Sequence, residues 1–147
     1  ECYADELIGK IFANLVSNKS HDTTIENQLP KCIFSVDKTR IEQVIMNLYN
    51  NALKHSAKEE TIILRAYREE NDVVIEIEDN GEGISPKDLP YIFDYYYQGE
   101  SSKKSDYEGI GLGLAICKNI VSSHNGSMKV KSKVGKGTTM FIKLPLV

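Results

Sequence analysis

Asn47, Asn51 and either Lys54 or His55 recur at i, i+4 and i+7 or i+8 in a stretch free of Gly and Pro. That spacing puts them on one face of a helix. Asn is a mediocre helix former, and Asn47, Asn50 and Asn51 crowd one short stretch, so they weaken the helix unless they bind something. A carboxamide oxygen is a hard, neutral ligand suited to a Mg²⁺ ion otherwise held by phosphate oxygens and water, and a nearby Lys meets phosphate as a point charge. A solvated polar helix face would account for the same residues. Asp79 opens the run Asp79-Asn80-Gly81-Glu82-Gly83-Ile84 at the end of a strand-like segment. An ionised carboxylate only accepts, so there it would select an exocyclic amine such as that of adenine, while the two glycines let backbone approach a flat ligand. An Asx turn at a strand end is the competing account. Gly109, Gly111 and Gly113 alternate with Ile110, Leu112 and Leu114 ahead of a helical pattern, where free N–H groups and the positive helix end can cradle phosphates. The run matches neither a dinucleotide fingerprint, in which Leu114 would be Gly, nor a Walker loop, which requires Gly-Lys-Ser/Thr.

These residues need a scaffold, and the hydrophobic periodicity supplies one. Leu7, Ile8, Ile11, Phe12, Leu15 and Val16 mark an amphipathic helix over residues 4–17. Alternating runs at 24–28 and 31–36, separated by Leu29-Pro30, predict two strands. Asp37 is placed as an N-cap for a long helix reaching His55, with Ile41, Val44, Ile45, Leu48 and Ala52 on its apolar face. Strands at 62–67 and 73–78 form a hairpin around the polar turn 69–72. Residues 86–95 predict one or two short helices. Residues 98–108 form a polar, Ser/Lys-rich loop of a length usually kept for function. A helix follows over 110–124, closed by Asn125-Gly126 with Gly126 as the αL terminator, and a second hairpin spans 128–134 and 138–144.

A chain of 147 residues suits one compact domain. No apolar run approaches the roughly 18 residues that a membrane span needs, so the segment is expected to be soluble and to make no direct membrane contact. The net charge of −3 and the pI near 5.7 argue against a nucleic-acid surface. Cys2, Cys32 and Cys117 are spaced for neither a disulfide framework nor a zinc site, which implies a reduced, cytoplasmic setting. The start at Glu1, without Met or a signal-type segment, suggests a piece of a longer protein.

Taken in order, these segments resemble the ATP-binding catalytic domain of sensor histidine kinases, in the Bergerat-fold group shared with gyrase-type and Hsp90-type ATPases. The resemblance covers residues 25–147: an N box at 37–56, a G1 box at 79–84, an F box at 92–97, a G2 box at 109–114 and a G3 segment at 135–139. It implies ATP and Mg²⁺ as cofactors. Asn51 would be the Mg²⁺ ligand, with Asn47 and Lys54 beside the phosphates as the catalytic pair. Asp79 would select adenine over Gly81 and Gly83, with Thr138 supporting it, and Gly109, Gly111 and Gly113 would flank the phosphates. The same boxes put His55, Ile84, Phe93, Tyr96, Leu112 and Leu114 beside the nucleotide, with the 98–108 loop as a lid. ATPases of this group resemble one another in having a water-activating Glu at the position of Asn47, and an amide cannot act as a base. The resemblance therefore implies transfer to a positioned nucleophile rather than hydrolysis. Tyr95 and Tyr96 depart from the usual F box, and Gln98 stands where the family often has an Arg, leaving Lys103 or Lys104 to supply the charge.

The family's phosphate-accepting His sits in a His-Glu/Asp-Leu-Arg/Lys-x-Pro-like setting. His21, His55 and His124 all lack it. The expectation is then an α/β two-layer sandwich, a mixed and mainly antiparallel sheet with about three helices on one face. Residues 1–18 would be a linker and first helix leading from a dimerisation and phosphoacceptor domain, and 19–147 the ATP-binding domain. That domain would act as a protein-histidine kinase whose phosphate passes on to the receiver domain of a response regulator. The alternatives are a serine kinase of the anti-sigma-factor type and a nucleotide-gated interaction module that transfers nothing.

Overall fold

The computed structural model describes residues 1–17, 22–57, 59–94 and 113–147. Its main sheet has five strands in the order β2 (Asp22–Asn27), β4 (Thr61–Glu69), β5 (Asp72–Asp79), β7 (Gly137–Pro145), β6 (Ser127–Lys133). β2 runs parallel to β4 and the other neighbours are antiparallel. Helices α1 (Ala4–Ser17), α2 (Lys38–His55) and α3 (Gly113–Ser123) cover one face, giving the expected two-layer α/β sandwich.

The layering follows from side-chain alternation along the strands. Ile62, Leu64 and Ala66 of β4, Val73, Ile75 and Ile77 of β5, and Met140, Ile142 and Leu144 of β7 are buried with the helices in one core. The opposite face is charged: Arg65 donates to Glu26 at 2.8 Å and lies near Glu76 and Glu78, and Lys143 pairs with Glu69. Ion pairs that remain open to solvent in this way add little stability.

The α2 helix begins where expected. Asp37 caps it, its Oδ1 accepting from Arg40 N at 3.2 Å, and Ile41, Val44, Ile45, Leu48 and Ala52 are buried. Tyr49 is buried too, its hydroxyl 2.7 Å from Thr23 Oγ1, which ties the helix to the edge strand. The α1 helix places Ala4, Ile8, Ile11 and Phe12 in the same core.

Three expectations about local structure need correction. The strand read at 31–36 is only β3 (Ile33–Phe34), outside the main sheet. It pairs with β1 (Cys2–Tyr3), a strand whose two residues carry no readable alternation, and with Leu146 near the chain end. The short helices read at 86–95 reduce, among the described residues, to a 3-10 turn at Leu89–Tyr91 beginning beside Pro90. The left-handed residue ending α3 is Asn125 (φ 60°), not Gly126. Gly126 is needed for space, since a Cβ there would lie 2.3 Å from the Lys143 carbonyl oxygen.

His124 closes this corner. Its Nε2 accepts from Asp37 N at 3.0 Å, so Nδ1 carries the proton and donates to Ile120 O at 2.7 Å. The ring thereby links the end of α3 to the cap of α2. Replacing it with Ala should cost about 1–2 kcal/mol in denaturant unfolding, by removing two hydrogen bonds at one contact. A change under a few tenths of a kcal/mol would mean that water replaces both bonds.

Candidate functional site

Register across three strands builds one end of the site. Asp79 pairs with Thr138, and Thr138 pairs with Ser132, so β5, β7 and β6 set these side chains in a row on the helix-bearing face. Asp79 is buried, and its Oδ1 accepts from Gly81 N at 2.9 Å and from Thr138 N at 3.2 Å. Both donors converge on one oxygen, which leaves Oδ2 as the end that a ligand amine can use. Burial raises the Asp79 carboxyl above its ordinary value, while the two backbone N–H groups and nearby His55 pull it back.

Gly81 and Gly83 are required by protein packing. A Cβ on Gly81 would lie 2.1 Å from the His55 carbonyl oxygen, at the end of α2. Gly83 has φ +76°, and a Cβ there would lie 2.3 Å from Lys133 O. The loop after Asp79 is thus pressed between α2 and the β6–β7 turn, where Gly135 N also donates to Glu82 O at 2.9 Å. Gly137, at φ +101°, passes so close to Asp79 O that a Cβ would fall 2.0 Å from it.

The polar face of α2 meets this loop. His55 Nδ1 lies 3.0 Å from Glu82 Oε1, so the last turn of α2 is latched to the segment that carries Gly81 and Gly83. One turn earlier Asn51 is half-buried, and Lys54, next to His55 in the chain, is exposed. Asn47 Nδ2 donates to Cys117 Sγ at 3.7 Å, and the Cys117 thiol donates to Val44 O at 3.9 Å. Burial pushes the Cys117 thiol up, keeping it neutral and able to donate. One Nδ2 proton of Asn47 points to α3, which fixes the direction of the amide and turns Oδ1 the other way.

The remaining assignments divide. Gly113 opens α3 with nothing within 4 Å of where its Cβ would stand, Leu114 and Phe93 pack partly buried against the core, and Lys118 Nζ sits 5.4 Å from the Phe93 ring centre. Ile84 donates its N–H to Ser132 Oγ at 2.7 Å. His21, Tyr95, Tyr96, Gln98, Lys103, Lys104, Gly109, Gly111 and Leu112 lie outside the described residues. Sequence reasoning missed Ser132, Cys117 and Glu82. A lone Ser in a Lys-rich strand, a Cys on a helix and a Glu between glycines carry no signal of their own, and only tertiary contact reveals them.

Residues 36–147 match the family model described as histidine kinase-, DNA gyrase B-, and HSP90-like ATPase. The chain belongs to this family. Within this ATPase family it is similar to sensor protein SrrB of Staphylococcus aureus, 40% identical over 119 residues that cover 81% of this chain and 20% of the relative. The chain therefore spans about a fifth of the length of the curated relatives it matches. Among solved structures it resembles the mycobacterial sensor histidine kinase MprB, with TM-score 0.81 at 25% identity over 99% of this chain and 97% of that one. The catalytic domain of histidine kinase ThkA shares the fold, with TM-score 0.78 at 23% identity over 96% of this chain and 92% of that one. So does full-length ShkA, solved in complex with AMPPNP, with TM-score 0.78 at 22% identity over 97% of this chain and 30% of that one. This is an ATP-binding catalytic domain of the sensor histidine kinase type.

Proposed function

We propose that this domain transfers the γ-phosphate of ATP to a histidine on the dimerisation and phosphoacceptor domain of its parent kinase, from which it passes to the receiver domain of a response regulator. The observation that carries the reading is the pairing of a buried, accept-only Asp79 with an α2 face whose 47 position is an amide. Asp79 Oδ2 accepts from the adenine 6-amino group, and Thr138 supports the base beside it. Asn47, being an amide, gives water no base, so the phosphoryl group is kept for a nucleophile brought into line, and alignment and charge neutralisation do the catalysis. The two described histidines are engaged elsewhere, His55 with Glu82 and His124 with Asp37 and Ile120, which favours an acceptor in another domain.

The residues present fit a Mg²⁺ ion held mainly by nucleotide. Among the described residues no three His, Cys, Asp or Glu side chains gather to hold a metal, and Asn51 offers one neutral oxygen donor on the half-buried face of α2. Asn51 would hold the ion, with Lys54 nearby for the phosphates; Mg²⁺, when bound, neutralises charge on the β- and γ-phosphates. Among the described residues no helix is long and apolar enough to cross a membrane. A domain that uses ATP belongs on the cytoplasmic side.

The test supplies the parent's phosphoacceptor domain in trans with radiolabelled Mg-ATP and follows acid-labile label on histidine, then on a receiver domain. Intact chain should label the acceptor. Asn51→Ala should transfer roughly a hundredfold more slowly and lose the Mg²⁺ dependence of ATP binding. ATP binding without labelling would replace this reading with the nucleotide-gated module, and labelling of serine with the anti-sigma-factor type.

A further inference from the structure

We infer that Ser132 is a positioning residue for the base-binding end of the site, setting the Thr138 hydroxyl that the nucleotide meets; the inference rests on the nucleotide reading of Asp79 and Thr138. Ser132 stands opposite Thr138 in the β6–β7 register, with the two hydroxyl oxygens 2.8 Å apart. Its Oγ also donates to Gly137 O at 3.0 Å and accepts from Ile84 N at 2.7 Å.

The partners fix the direction of each bond. A carbonyl only accepts and an N–H only donates. With the single Ser132 proton on Gly137 O, the bond to Thr138 must be made by the Thr138 proton. The Thr138 hydroxyl is then held in one rotamer, offering lone pairs alone to a base or to a water beside it. The Ile84 N–H keeps Ser132 from turning away, so the loop after Asp79 and the β6–β7 turn are joined through this one oxygen. Without it, Thr138 becomes a free rotor that must be ordered when nucleotide binds.

The half-buried Ser132 side chain lies one strand beyond the Asp79–Thr138 pair, so it is expected to act through Thr138 rather than on the base. That makes the two hydroxyls energetically coupled. Calorimetry of ATP binding to the intact chain and to Ser132→Ala, Thr138→Val, the double variant and Ser132→Thr reads that coupling, at a temperature where thermal unfolding shows every variant folded.

Loss of one such bond should weaken ATP binding about fivefold in Ser132→Ala. The double variant should bind no more than about twofold more weakly than Thr138→Val alone, and Ser132→Thr, which keeps the hydroxyl, should bind like the intact chain. A Ser132→Ala variant that binds ATP normally, whether or not it melts earlier, would overturn the assignment and leave Ser132 as a hairpin brace. Losses that multiply in the double variant would overturn it too. If the intact chain bound no ATP, the nucleotide reading itself would fall and take this assignment with it, a result distinct from normal ATP binding by both the intact chain and Ser132→Ala.

Discussion

Asp79→Asn is expected to lower ATP affinity by roughly a hundredfold, the loss of a charge-assisted hydrogen bond plus a misdirected donor. The reason lies in the two backbone N–H groups that converge on Oδ1, from Gly81 and Thr138. An Asn side chain must turn its oxygen to these donors, which aims its NH₂ at the amine the carboxylate would have accepted. The substituted chain should nevertheless fold. Because the folded carboxyl titrates above its unfolded value, the folded state binds more protons between the two values. This group therefore favours the fold in acid, and that contribution is lost as pH rises from the unfolded pKa through the folded one. At neutral pH the buried charge opposes folding, so nucleotide-free Asp79→Asn should melt at or above the temperature of the unsubstituted chain, a stability gain made at the expense of function. Calorimetry with ATP and a melting curve without it read the two effects separately. Unchanged affinity would remove Asp79 from the base site; a melting point several degrees lower would show its charge to be a structural need.

Gly137→Ala is expected to destabilise the domain by about 3 kcal/mol or more, lowering its melting temperature by roughly 10 °C. Two causes add. The residue sits at φ +101°, outside the range L side chains readily adopt, and the new Cβ would fall 2.0 Å from Asp79 O. The strand end would have to move, carrying Thr138 N away from Asp79. Gly135→Ala is the internal control. At φ +80° but with nothing within 4 Å, it meets only the backbone penalty, about 1–2 kcal/mol. Equal melting points for the two variants would show that the close approach at Gly137 is relieved by small shifts.

The layered architecture was legible because it rests on periodicity. Alternation in β4, β5 and β7 and the 3.6-residue apolar stripe of α2 name their own buried faces, and Asp37 announces the start of α2 by side-chain chemistry. β1 was not legible, because two residues paired to a distant segment show no period. For the glycines, position was readable and cause was not: turn chemistry marks Gly81 and Gly83, but the His55 and Lys133 carbonyls that exclude a Cβ come from elsewhere in the chain.

By itself the sequence determined the kinds of element, and its resemblance to the histidine kinase group supplied the expected ligand. An accept-only carboxylate at a strand end, amides on a helix face and glycine clusters in a particular order are local features, carried by side-chain type and spacing. Only the tertiary structure decided which of these residues meet. Register between non-adjacent strands put Ser132 beside Thr138 and Thr138 beside Asp79, and helix packing put Cys117 under Asn47. Such contacts depend on how distant segments share one core, which no local window of residues can state.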